Sequence, residues 1–201
     1  MLDRYATALI KPAVNGVARR LARTGFKADQ VTWAGFGVGF IAFFLIANSL
    51  YWAGASAIIL SRILDALDGA VARESQPTDR GGFLDIALDF LFYASIPLAF
   101  ALADPARNAL AAAVLLAAFM GTSTIFLAFA VLAAKRGLHS ATYPDKAFYF
   151  LGGLTEATET LTCFIAMCLW PQHFAVLAYI FSALCAATIA TRLWWGWHTF
   201  S

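Results

Sequence analysis

Of 201 residues, 61% are hydrophobic and only 13% are charged, and the mean hydropathy is +0.72. A soluble domain normally carries about a quarter charged residues, so this composition excludes a water-soluble globular protein and predicts an integral membrane one. The net charge of +2 comes from few, scattered basic residues and leaves no footprint for nucleic acid.

Along the chain, residues 2–23 come first. Leu2, Tyr5, Leu9, Ala13, Val17 and Leu21 recur at helical spacing, while Arg4, Lys11, Arg19, Arg20 and Arg23 occupy other faces. This pattern predicts an amphipathic helix in the membrane interface, held by apolar burial and by anionic headgroups. The stretch has no uninterrupted apolar core of the kind a cleavable signal peptide needs. Six apolar spans follow, at about 30–48, 52–73, 81–103, 108–134, 147–170 and 174–197. Each exceeds the roughly 17 residues that cross the hydrocarbon. Asn48-Ser49 with Gly54, then Pro77, Asp104-Pro105, Gly137 with Pro144, and Pro171 are read as the breaks between them. The predicted fold is therefore all-α and polytopic: one domain over residues 1–201, with six transmembrane helices after an interfacial helix. Cys163, Cys168 and Cys185 lie in apolar segments without metal-ligand spacing and are read as small buried hydrophobes. Trp194, Trp195 and Trp197 suit an aromatic belt at the last boundary.

The basic residues orient the chain. With the N-terminus inside, Arg19, Arg20, Arg23, Lys27, Arg73, Arg80, Lys135, Arg136, Lys146 and Arg192 fall at cytoplasmic ends, and only Arg107 falls outside. The expectation is a cytoplasmic (inner) membrane protein with both termini in the cytoplasm.

Four aspartates then stand out, because carboxylates are costly in an apolar medium. Asp65 and Asp68 are three apart at the cytoplasmic end of the second span. Asp85 and Asp89 are four apart at the start of the third. Each pair shares a helix face. The short linker makes the two spans antiparallel neighbours, so both pairs are expected to face one cavity. Divalent cations compensate such a cluster best, since hard metals prefer oxygen ligands. Two ions about 3.5–4 Å apart would suit in-line displacement at phosphorus. Gly69, Gly81 and Gly82 would let a ligand approach the backbone, and Arg73 could neutralise a phosphate. A competing reading pairs Arg62 and Arg73 with the aspartates to lock the helices, but two arginines do not neutralise four carboxylates.

These residues resemble the signature of the CDP-alcohol phosphotransferase family: Asp, two residues, Asp-Gly, two, Ala-Arg, eight, Gly, three, Asp, three, Asp. Asp65, Asp68, Gly69, Ala72, Arg73, Gly81, Asp85 and Asp89 match it. One residue is missing, since seven rather than eight separate Arg73 from Gly81, so either Gly81 or Gly82 could approach the nucleotide. The resemblance implies that an acceptor hydroxyl attacks the β-phosphate of a CDP-alcohol, such as CDP-diacylglycerol, and CMP leaves, in phospholipid biosynthesis. It implies that Asp65, Asp68, Asp85 and Asp89 bind two Mg²⁺ or Mn²⁺ ions and that Asp89 also takes the hydroxyl's proton. It assigns Gly69, Ala72, Arg73 and Gly81 to the CDP-binding wall, and it favours a homodimer. Thr32 is a further candidate for the nucleotide site, although helix capping by Asp29 also explains that stretch.

Glu156 and Glu159, three apart in the cytoplasmic half of the fifth span, are candidates to bind a polyol or an amine acceptor. Favourable placement near a helix start is the competing explanation. Two other functions also fit part of the pattern. An intramembrane prenyltransferase uses aspartates, magnesium and a diphosphate, but its aspartate pairs lie on distant helices. A divalent-cation transporter needs a continuous polar path, and the outer halves of these spans are apolar.

Overall fold

The computed structural model describes residues 3–137 and 154–201. Among them the chain is helical, with no strand. The helices are α1 (Asp3–Arg23), α2 (Ala28–Ala47), α3 (Tyr51–Glu74), α4 (Asp79–Ala103), α5 (Pro105–Lys135), α6 (Ala157–Leu169) and α7 (Phe174–Phe200), the last preceded by a 3₁₀ turn at Pro171–His173. Among the described residues four stretches are long and apolar enough to cross a membrane: α2, α4, α5, and α7 with its 3₁₀ turn. At 24 residues α3 is long enough, about 36 Å, but Arg62, Asp65, Asp68, Arg73 and Glu74 lower its hydropathy. The described part of the fifth expected span is α6, only 13 residues long; the start of that span and Pro144 lie outside the described residues.

Local chemistry sets the ends. Asn48–Leu50 turn the chain with Ser49 at φ 62°. Gly54, read from sequence as part of that turn, lies instead inside α3, where a Cβ would come within 2.5 Å of Ile46 Cγ1. Asp104 caps α5 by accepting from the Arg107 N–H at 3.2 Å, and Pro105 opens the helix where its missing N–H costs nothing. Thr78 caps α4 in the same way, accepting from the Gly81 N–H at 3.1 Å. Asp29 does not cap α2. The Lys27 N–H is held by Gln30 Oε1 at 3.0 Å, and Asp29 makes an ion pair with Arg80 instead.

The helices close into a ring, each packing on the next in the order α3, α2, α4, α5, α7, α6, with α6 returning to α3 and α1 lying against α3. α3 and α4 meet through side chains, as the Arg62–Asp89 pair shows, and both pack closely on α2. Its glycines explain this. A Cβ on Gly35 would stand 3.2 Å from Leu64 Cβ of α3, and one on Gly39 would stand 2.7 Å from the Phe92 ring of α4 and 3.0 Å from Ser61 Oγ of α3. Small residues at this spacing let helix backbones approach closely. One end of the ring is filled by a buried cluster that includes Phe92, Ile96, Phe100, Leu115, Phe164 and Phe174. The other end, towards the aspartates, is hollow. Trp33, Phe40 and Phe44 of α2, Leu110 and Met120 of α5, and Trp197 of α7 are exposed, as lipid-facing side chains would be.

Candidate metal and nucleotide site

α3 and α4 face each other across the hollow end. Each helix brings its own aspartates to one wall, because the three- and four-residue spacings return a side chain to the same face. One carboxylate oxygen each from Asp65, Asp68 and Asp85 lies within 4.8 Å of the others. Asp68 is buried, and its Oδ2 has no hydrogen-bond partner. A buried carboxylate oxygen left bare beside two more carboxylates is the arrangement a hard divalent cation would relieve, and oxygen donors alone are what Mg²⁺ or Mn²⁺ accept. The residues present therefore fit such an ion.

Asp89 stands apart from that trio. Its Oδ1 is held by Arg62 Nη1, which also lies 3.4 Å from Asp65 Oδ1. Arg62 is fixed in turn: its guanidinium lies 4.0 Å from the centre of the Phe92 ring, and Nη2 donates to Ser61 Oγ at 3.2 Å. Ser61 donates to the Gly35 carbonyl at 2.8 Å, so the arginine's support runs back to the α2–α3 contact. The pairing of Arg62 with aspartates is thus real, and it reaches Asp65 and Asp89.

The hollow is a cavity of 1230 Å³. Asp68, Asp85 and Asp89 line it, and so do Thr32, Gly69, Ala72, Arg73, Gly81 and Gly82. The residues expected to form a nucleotide wall are therefore brought together. Arg73 lies over Gly69, with Nη1 3.5 Å from where a Cβ would stand. The two glycines differ. A Cβ at Gly81 would come 3.2 Å from Thr78 Oγ1 and 3.5 Å from Asp29 Oδ1, whereas one at Gly82 would meet nothing within 4 Å. Gly81 is the position where backbone must pass tightly. Lys27 and the Asp29–Arg80 pair stand at the same wall. Sequence reading missed their role, because Asp29 and Arg80 are far apart along the chain.

Beyond Asp89 the cavity continues between α4, α5, α6 and α7, past Tyr93, Thr122, Thr155, Glu156, Thr160 and Arg192. The two glutamates separate here. Glu156, 9% exposed, lines the cavity as the residue that caps α6. Glu159 accepts from the Glu156 N–H at 3.2 Å, which gives it a place in the capping box and not on the cavity wall. Arg192 is the residue sequence reading undervalued. It was counted only as a basic boundary residue, whereas it is 7% exposed and turns into the cavity. The cavity also has an apolar side, where Met120 and Leu127 of α5 both line it and remain exposed on the helix surface.

Comparison with known proteins gives a consistent picture. A family model for CDP-alcohol phosphatidyltransferase matches residues 28–194. Inner membrane protein YnjF of Escherichia coli (strain K12) is 50% identical over 199 residues, covering 99% of this chain and 97% of its own length. Archaetidylinositol phosphate synthase of Methanothermobacter thermautotrophicus is 39% identical over 92 residues, 45% of either chain. The crystal structure of Mycobacterium tuberculosis phosphatidylinositol phosphate synthase (PgsA1) with CDP-DAG bound superposes with a TM-score of 0.74 at 24% identity, covering 92% of this chain and 93% of that one. A second structure of the same enzyme, in complex with manganese and citrate, gives a TM-score of 0.72. At that identity the likeness to PgsA1 is one of fold.

Proposed function

Because the chain belongs to the CDP-alcohol phosphatidyltransferase family, it transfers a substituted phosphate group from a CDP-alcohol to an acceptor hydroxyl in phospholipid biosynthesis, and we propose that its donor is CDP-diacylglycerol. The observation that carries this reading is the meeting of Asp65, Asp68 and Asp85, with a bare Asp68 Oδ2, where Asp68 and Asp85 share the cavity wall with Gly69, Arg73 and Gly81. A diphosphate needs positive charge and close backbone, and both are offered there. The exposed apolar side at Met120 and Leu127 suits diacyl chains that remain in the bilayer, and the fold neighbour PgsA1 was crystallised with CDP-DAG.

In this reading Asp65, Asp68, Asp85 and Asp89 hold two divalent cations, Mg²⁺ or Mn²⁺. When bound, these supply charge stabilisation on the phosphoryl and leaving oxygens. The remaining work falls to the chain. Thr32, Arg73 and the backbone at Gly69, Ala72 and Gly81 hold the cytidine diphosphate. Arg62 holds Asp89 Oδ1, which leaves Oδ2 to take the acceptor's proton. The acceptor oxygen forms a bond to the β-phosphorus, the bond from that phosphorus to the bridging oxygen breaks, and CMP departs with the electron pair. Glu156, with Glu159 behind it as cap partner, contributes to the acceptor side.

The proposal extends to the setting. α2 to α7 are read as six spans of the inner membrane and α1 as an interfacial helix. Both termini and the hollow end face the cytoplasm, and the working unit is a homodimer. The basic residues support the orientation, for Arg73 and Arg80 line the hollow and Lys135 and Arg136 stand at the C-terminal end of α5.

The test is CMP release by the purified protein from CDP-diacylglycerol. Release should require Mg²⁺ or Mn²⁺, stop on chelation, and return when the metal is restored. Full turnover in excess chelator would sink the metal-assisted reading. A prenyl diphosphate consumed in place of the CDP-alcohol would favour the prenyltransferase.

A further inference from the structure

The inner part of the cavity has a charge balance and a hydrogen-bonding polarity that together select its ligand. Among the described residues the charged side chains on this part are Glu156 and Arg192, whose charges cancel and which interact electrostatically. Arg192 is not used up by the fold. Its Nε is buried with no hydrogen-bond partner, and Nη1 reaches the Thr122 carbonyl only at 3.5 Å. Buried guanidinium donors that stay unpaired are costly, so a ligand atom is the natural partner.

The hydroxyl groups around them face the other way. Thr122 donates to the Phe119 carbonyl at 3.0 Å, Thr160 to the Glu156 carbonyl at 2.8 Å, and Thr155 to Thr188 Oγ1 at 3.0 Å. Thr188 in turn donates to the Leu184 carbonyl at 3.1 Å, so the chain of hydroxyls ends on backbone. A hydroxyl has one proton to give and two lone pairs to receive. With the protons committed to the protein, these walls present lone pairs. Those three threonines and Glu156 therefore offer acceptors, and Arg192 is the cationic donor among the described residues of this part. A phosphate monoester is all acceptor. It would set its charge against Glu156 and its oxygens against the threonine lone pairs, with Arg192 the one cation in its favour among the described residues. Mismatch of that kind rejects a ligand more strongly than poor shape does.

We propose that the acceptor is a small, phosphate-free alcohol rich in hydrogen-bond donors, a polyol or a hydroxyl-bearing zwitterion, and that Glu156 and Arg192 determine this choice. A polyol gives its hydroxyl protons to Glu156 and the threonines and receives one bond from Arg192. A zwitterion places its carboxylate on Arg192 and its ammonium on Glu156. Either leaves a hydroxyl directed towards Asp89. The inference rests on the transferase reading above and goes beyond it by fixing the acceptor's charge.

The experiment offers the purified protein CDP-diacylglycerol in mixed micelles with Mg²⁺. The acceptors are glycerol, myo-inositol and serine, each beside its phosphomonoester, and CMP release and product mass are read. Metal-dependent CDP-diacylglycerol binding is measured separately by calorimetry. Wild type should turn over at least one phosphate-free acceptor with kcat/KM at least tenfold above that of its phosphomonoester. Glycerol or inositol as substrate identifies the polyol, and serine identifies the zwitterion. Glu156→Gln leaves Arg192 uncompensated, so the preference should move towards the phosphomonoester by at least tenfold, with donor binding unchanged. Arg192→Gln should raise KM for the preferred acceptor. Thermal unfolding in detergent confirms that each variant is folded, and Arg192→Lys, which keeps the charge, should recover part of the loss if Arg192→Gln does not fold. A wild type that prefers a phosphomonoester, or a Glu156→Gln ratio equal to wild type, overturns the proposal. So does donor binding with no turnover of any phosphate-free acceptor. Loss of donor binding itself would instead overturn the transferase reading beneath it.

Discussion

Asp89 and Arg62 make the sharpest case at the scale of single residues. The carboxylate lines the cavity and is also gripped through Oδ1 by an arginine that is stacked on Phe92 and bonded to Ser61. If Asp89 takes the acceptor's proton, Asp89→Asn should fold and bind CDP-alcohol, yet turn over at least about a hundredfold more slowly, since general-base help is worth roughly 10²–10⁴-fold. Asp65→Asn should differ, weakening metal and nucleotide binding together. Near-wild-type kcat for Asp89→Asn at saturating metal and donor would remove it from the proton transfer. Arg62→Lys keeps the charge and loses the planar fork and much of the stacking. A kcat reduced about tenfold with donor binding intact is expected, because a positioning loss acts on rate. An unchanged kcat would reduce Arg62 to a packing residue. The aspartates were legible in sequence because four carboxylates in apolar surroundings break the rule of their context. Arg62 was legible only as a possible counter-charge, because its ties to Phe92 and Ser61 come from the approach of α2, which no local pattern announces. Arg192 was hidden for a related reason: a basic residue near a helix end reads as a boundary signal until its burial is known.

Helix boundaries were legible wherever a specific chemical group ended the helix. Asp104-Pro105 and Pro171 mark real ends because a cap and a missing N–H act locally. Gly54 misled because a glycine that permits close packing looks the same as one that permits a turn. Pairing between helices was only partly legible. The short linker predicts that α3 and α4 are antiparallel neighbours, and their side chains do meet, but no local pattern announces that Gly35 and Gly39 let α2 pack against both. This can be tested within one helix. Gly39→Ala would push a methyl group into Phe92 and Ser61, and overpacking of that kind costs about 1–3 kcal/mol. It should lower the thermal midpoint in detergent and weaken catalysis through Phe92 and Arg62. Gly37→Ala, with nothing within 4 Å of its added carbon, should unfold no earlier than wild type. Equal midpoints for the two variants would mean that the α2 contact is looser than the structure has it.

On the scale of the whole molecule, one end of the ring is packed with aromatic and aliphatic side chains and the other holds the polar cavity. Orientation then decides from which side the reaction is served. A cysteine placed at Ser75, in the linker after α3, should react with an impermeant thiol reagent only from the cytoplasmic side; labelling from outside intact cells would invert the topology. The native cysteines do not confuse this test, as Cys168 and Cys185 are buried and Cys163 is partly so. The side of the cavity at Met120 and Leu127 has its own consequence. A donor that enters through a gap facing acyl chains never visits bulk water. Its effective concentration is then a two-dimensional density, set by how many of its molecules share the surface with inert amphiphile and not by how many are in the tube. Diluting CDP-diacylglycerol with inert detergent, at constant total amount and volume, should slow an enzyme reached in this way in proportion to the mole fraction, while the water-borne acceptor continues to obey ordinary molar saturation.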